Sequence, residues 1–265
     1  MHKKIAALAT MLMLCAAPAM AHFQLLYTPE SALEKGQEIP LKVVFTHPFE
    51  AGHTMDMAMP EKFVVLHKGQ TADLLKTLKP ITWKSLTNEG KAFETAYALR
   101  GMGDWVFALS PAPYFEANED GYIQQFTKVV INAAGAPTDW DAELGLPAEI
   151  IPLDKPYGLW AGNVFRGIVK GDGKPVPFAE IEVEFLNHQP DMKANAFMAK
   201  AEVEAPQDAF VTQTIKADAN GQFVYAIPRE GWWGFAALGV GPKDKFKDKD
   251  LSQDAVIWVQ AKPMK

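Results

Sequence analysis

Ile39-Pro40-Leu41-Lys42-Val43-Val44-Phe45-Thr46 sets Ile39, Leu41, Val43 and Phe45 on every second residue, the period of a β-strand with one buried face. Working outward, Phe23 to Tyr27 and Phe63-Val64-Val65-Leu66 predict strands on either side. Ile81 to Leu86, Ala92 to Leu99, Trp105 to Leu109 and Phe126 to Ile131 continue the series. Turns at Gly36, Gly52, Gly69, Gly90, Gly101 and Gly103 punctuate these runs. No run keeps a 3.6-residue period over three turns. The fold class is therefore all-β, built as antiparallel sandwiches.

Pro137, Pro147, Pro152 and Pro156 crowd the stretch from Ala136 to Leu159, which reads as a linker. Two β-sandwich domains are expected, residues 22–150 and 151–265. In the second, Asn163 to Val169 and Phe178 to Leu186 read as one strand-turn-strand unit around Gly171-Asp172-Gly173. Thr212 to Lys216 and Gln222 to Ile227 read as another, around Asn220-Gly221, the strongest short hairpin signal. Trp233 to Val240 and Ala255 to Val259 complete it, and the mixed-charge run Lys243 to Asp250 reads as a solvated loop.

The first 21 residues carry the pattern of a cleavable signal peptide. His2, Lys3 and Lys4 precede an apolar run from Ile5 to Ala17, and Ala19-Met20-Ala21 gives the small-x-small cleavage site. That run falls short of the about 20 residues that cross a bilayer, and no later run comes close. The expectation is a periplasmic protein without direct membrane insertion, starting at His22. Cys15, the one cysteine, is lost with the signal, so disulfides and thiolate metal sites are excluded from the mature chain. Removing Lys3 and Lys4 from 26 basic residues leaves 24 against 32 acids, a formal charge of −8. That balance argues against nucleic acid as a partner and suits one that meets cations.

The chemistry concentrates in the first half. Cleavage after Ala21 leaves His22 with a free α-amine beside its imidazole, and those two nitrogens can chelate one metal ion. The second concentration is Thr46-His47-Pro48-Phe49-Glu50-Ala51-Gly52-His53-Thr54-Met55-Asp56-Met57-Ala58-Met59-Pro60. It is expected as a constrained loop on the sandwich rim. Its nitrogen, oxygen and sulfur donors could converge on one ion, giving a candidate metal set of His22, His47, His53, Asp56 and Met57. The first strand and the strand before this loop are candidate neighbours in the sheet. His67 reads as a satisfied strand-end histidine, and His188 has no clustered partner. Asp104, Trp105, Tyr114, Glu116 and Glu119 are further rim candidates. No nucleophile motif, phosphate-binding glycine loop or carboxylate pair stands out, so no enzyme activity is expected.

Ala21-His22-Phe23, the His47-Pro48-Phe49-Glu50 to Pro60 loop, Gly145-Leu146-Pro147-Ala148-Glu149-Ile150-Ile151-Pro152-Leu153 and Gly173-Lys174-Pro175-Val176-Pro177 together resemble the DUF4198 family, also labelled NikM-like. The resemblance implies a periplasmic component of cobalt and nickel uptake, working beside a membrane metal transporter. It also implies a prealbumin-like (carboxypeptidase-regulatory-like) second domain. His22 and the His47 loop are the implied ligands to nickel or cobalt. The thioethers of Met55, Met57 and Met59 favour Cu(I) and keep copper as the alternative, either as cargo or in a histidine-brace enzyme. A sandwich binding carbohydrate or protein without metal, through aromatics near Trp105 or Trp160, is the third reading.

Overall fold

A computed structural model describes residues 22–264. The signal sequence and its cleavage site lie outside the described residues, as does Lys265. The described chain is all-β, with two short 3-10 turns, Leu75–Thr77 and Asp208–Phe210, as its only helical elements.

Three sheets stack as layers. The front sheet runs Phe23–Tyr27, Glu38–Thr46, Glu89–Ala98, Lys79–Lys84, and then a hairpin of Ala196–Ala201 and His188–Asp191; Thr54–Met55 pairs onto Glu38–Thr46. The central sheet runs Gln213–Lys216, Glu180–Phe185, Gly231–Ala237, Lys249–Lys262, Gly121–Ala133, Gly103–Ser110, Lys62–His67 and Gln70–Asp73. The back sheet is formed by Ala148–Pro152, Val164–Gly171, Lys174–Pro175 and Gln222–Ala226.

The alternation of the central strands explains the layering, because both faces of the central sheet are apolar. In Gly231–Ala237, Trp232 and Ala236 join the core under the front sheet, while Trp233, Phe235 and Ala237 join the core over the back sheet. Lys249–Lys262 does the same, with Val256 and Trp258 on one side and Ala255, Ile257 and Val259 on the other. A strand buried on both faces reads as a continuous apolar run, which is how Ala255 to Val259 appears in the sequence.

The expected boundary at residue 150 does not divide these sheets. Gly121–Ala133 and Lys249–Lys262 pair in parallel over eight residues, from Tyr122↔Leu251 to Val129↔Trp258. The two halves share this sheet, and each core takes side chains from both. The stretch read as a linker is also corrected: Ala148–Pro152 is a buried strand paired to Val164–Gly171. Its Glu149 forms a buried ion pair with Lys128 of the central sheet, 2.8 Å apart, and accepts the Leu144 and Leu146 amides. Prolines signalled irregular backbone around that strand without showing that the strand is there.

Both second-half hairpin expectations are corrected in the same way. Val164–Gly171 pairs across the turn only with Lys174–Pro175, and Glu180–Phe185 departs to the central sheet. Around Asn220-Gly221, Gln213–Lys216 joins the central sheet and Gln222–Ala226 the back sheet. The turn forms, with Asp218 Oδ1 accepting the Asn220 and Gln222 amides, but it is a corner. Ile215 and Phe223 thereby reach one core from opposite walls, which a flat hairpin would not allow. The charge run Lys243 to Asp250 is also partly strand, since Lys245–Phe246 pairs with the start of Lys249–Lys262.

Candidate metal centre

The site is built at one end of the front sheet. Phe23–Tyr27 pairs antiparallel with Glu38–Thr46 in the register Phe23↔Thr46, and Thr54–Met55 joins the same strand in the register Thr46↔Thr54. His22, His47 and His53 therefore each sit one residue beyond the last pair of three adjoining strands, so the expected neighbourhood of the first strand and the loop is present. The His22 and His47 rings lie 4.7 Å apart between centroids, and the Phe45 ring packs 5.7 Å from His22.

The second half of the chain fixes the N-terminal strand. Trp258, fully buried, donates Nε1–H to the Gln24 carbonyl at 3.0 Å and packs edge-on to Phe23. Gln125, on the central sheet, grips the backbone next to His22 from both directions. Its Oε1 accepts the Gln24 amide at 2.7 Å and its Nε2 donates to the His22 carbonyl at 2.7 Å. The Gln125 amide also donates to buried Asp254 at 3.2 Å. Asp254 holds its proton more strongly than a free carboxyl, chiefly through burial, although the Gly239 amide and the Ser252 hydroxyl oppose that shift.

The His47 turn is anchored across layers as well. Asn187 donates its backbone amide to Pro48 O at 3.3 Å and its side-chain amide to Phe49 O at 3.1 Å. Glu184 accepts the Phe49 amide at 3.3 Å and pairs with the Thr212 hydroxyl. Burial pushes the Glu184 carboxyl up to about 8.

His47 is buried, and its pKa is lowered to about 4, first by desolvation and then by the neighbouring His22 and His53. It is therefore held as neutral imidazole, the form that ligates metal. Glu116, ending the short strand Tyr114–Glu116, meets His22 Nε2 at 3.1 Å. Of the other expected donors, His53 and Asp56 are exposed, and Asp56 accepts the Lys91 amide at 2.7 Å. Met57 is buried, with its sulfur 3.6 Å from Gln24 Nε2. Asp56 and Met57 line a cleft of about 220 Å³ with Gln24, Phe45, Tyr114 and Gln125. Burial, with Glu116 and Asp56 nearby, raises the Tyr114 hydroxyl pKa.

Among the described residues, no three His, Cys, Asp or Glu side chains are gathered to hold a metal ion. The set His22, His47, His53, Asp56 and Met57 is thus brought to one rim but not to one point. What the fold does supply is two pairwise contacts of His22, its ring beside His47 and its Nε2 against Glu116. The rings of His67 and His188 each meet a backbone carbonyl. His67 stacks flat on Trp105 at 4.0 Å with Nδ1 against Asp104 O, and His188 Nδ1 meets Met198 O at 2.8 Å. Asp104 and Trp105 belong to that second cluster. Gln125 escaped the sequence reading because a polar residue on an alternating strand ordinarily marks a solvent face.

A family model for a domain of unknown function, DUF4198, matches residues 19–241. The chain belongs to the DUF4198 family. The stretch that defines this DUF4198 chain takes in His22, the His47 turn, Glu116, Gln125 and Asn187. No curated protein matches it in sequence. Among solved structures it is similar to the D0–D1 domain of intimin at 11% identity, covering 91% of this chain and 100% of that one with a TM-score of 0.21. The Yersinia pseudotuberculosis adhesin InvE matches at 13% identity over 88% of this chain and 58% of that one, TM-score 0.24. Native Escherichia coli alpha-2-macroglobulin matches at 9% identity over 93% and 14%, TM-score 0.21.

Proposed function

We propose that this DUF4198 protein is exported, is cleaved after Ala21, and binds one divalent transition-metal ion as cargo for a membrane transporter. Nickel or cobalt is the proposed metal. The observation that carries the reading is the placement of His22 beside His47 across paired strand ends, with the His47 imidazole kept neutral. Two imidazoles alone make a weak site. The α-amine released at His22 supplies the third nitrogen without any further side chain, and amine and imidazole of one residue close a chelate at little cost in chain entropy. His53, exposed one step from His47, is free to add a fourth donor. Three nitrogens suit nickel, cobalt and copper alike.

Copper is the second reading, favoured by the Met57 thioether in the adjoining cleft. The role is binding and hand-over, not catalysis. Intact native mass of the periplasmic protein tests the reading, since it reports the N-terminus and the bound metal together. A chain starting at His22 with one nickel or cobalt ion is expected. A chain that keeps residues before His22, or takes up none of Ni(II), Co(II) or Cu(II) in titration, overturns it.

A further inference from the structure

We propose that Glu116 is a positioning residue that sets the tautomer of His22; its purpose rests on the metal-binding reading, its geometry does not. Glu116 is nearly buried, and its two oxygens have separate tasks. Oε1 accepts the Asn118 amide at 3.0 Å, which fixes the carboxylate, and Oε2 then lies 3.1 Å from His22 Nε2. The short strand that carries Glu116 is itself pinned to the central sheet through Glu116↔Gly121.

A carboxylate only accepts hydrogen bonds, so in a neutral His22 the proton sits on Nε2 and the lone pair on Nδ1. Nδ1 is the nitrogen that matters for a chelate. With the α-amine of the same residue it closes a six-membered ring around a metal, whereas Nε2, on the far side of the imidazole, is too distant to close one. Metal-ligating histidines characteristically donate the other ring N–H to a carboxylate, which fixes ring orientation and raises ligand basicity. Glu116 does this before any metal arrives. Gln125 completes the hold by fixing the His22 carbonyl, and the His47 and Phe45 rings flank the imidazole.

The test uses the protein beginning at His22, with ¹⁵N-labelled histidine, compared with its Glu116→Ala and Glu116→Gln variants. In metal-free protein at pH 8, His22 is expected almost wholly as the Nε2–H tautomer. Glu116→Ala should return a mixture, and Glu116→Gln, whose amide oxygen still accepts, should largely restore the wild-type spectrum. Ni(II) affinity should fall about 10- to 100-fold in Glu116→Ala and less in Glu116→Gln. Thermal melts of all three establish that each is folded, and a purely structural Glu116 would move the melt without moving the tautomer. Unchanged tautomer in Glu116→Ala overturns the proposal, and a changed tautomer with unchanged Ni(II) affinity overturns the purpose given to it in metal binding. If the wild type binds no metal, the metal reading fails and the metal-free spectrum still decides what Glu116 does to His22.

Discussion

His47 and His188 are strand-end histidines of the two halves, 6% and 5% exposed, yet they are held in opposite ways. His188 directs Nδ1 at the Met198 carbonyl, 2.8 Å away. His47 is neutralised by burial beside two other histidines. Burial of a histidine is thus no sign of function by itself. An imidazole bonded to a backbone carbonyl secures its own surroundings, whereas a neutral one packed beside a second imidazole can offer a lone pair to a ligand.

The contrast is sharpest in metal binding. His47→Ala should lower Ni(II) affinity by at least about 100-fold, about 2.7 kcal/mol, while His188→Ala leaves it unchanged; calorimetric titration of both variants checks this. Equal affinities would erase the distinction between the two residues.

Stability should rank the pair the other way. His188→Ala opens a buried space and strands the Met198 carbonyl, and is expected to cost about 2 kcal/mol in urea denaturation. His47→Leu replaces a desolvated imidazole with an apolar side chain and should leave stability unchanged or raised, at the expense of binding. A larger loss for His47→Leu than for His188→Ala would make His47 structural.

Much of this was legible in the sequence, and the remainder was hidden for a physical reason. Alternation in Ile39 to Phe45 marks the strand that ends at Thr46, one residue before His47. What alternation does not encode is pairing. The parallel ladder between Gly121–Ala133 and Lys249–Lys262 joins segments more than a hundred residues apart, and no local propensity specifies such a partner. The shared central sheet, Trp258 under Gln24 and the Asn187 anchor all follow from that pairing. Glu116 was one of several acids and aromatics assigned to the rim. Only the fold separates it from Asp104, whose carboxylate accepts the Thr138, Asp139 and Trp140 amides in another cluster.

A smaller effect concerns the support of the His47 turn. Glu184 has a folded pKa of about 8 against an ordinary 4.5, so the folded state holds its proton more tightly than the unfolded one. Stability from this group is full below about 4.5 and is lost as pH rises through about 8. Glu184→Gln should therefore gain on wild type in denaturation midpoints as pH rises across that window, and a constant difference would contradict the assignment.

The finest test is titration of the histidines in metal-free protein by NMR. His47, with its folded pKa depressed, should stay neutral until about pH 4. Its contribution to stability is full above about 6.5 and is lost as pH falls through about 4. A midpoint near 6.5 would mean the His47 ring is hydrated and not poised as described.

The most direct measurement is Ni(II) titration of two proteins that differ by one residue placed before His22. The extension keeps both imidazoles, the Gln125 grip and the Glu116 contact, and removes only the amine from the chelate. The account predicts one tight Ni(II) site in the protein that begins at His22 and a loss of at least about 100-fold in the extended one. Equal affinity in the two would show that the α-amine is not a ligand, and would contradict the chelate at the centre of the proposal.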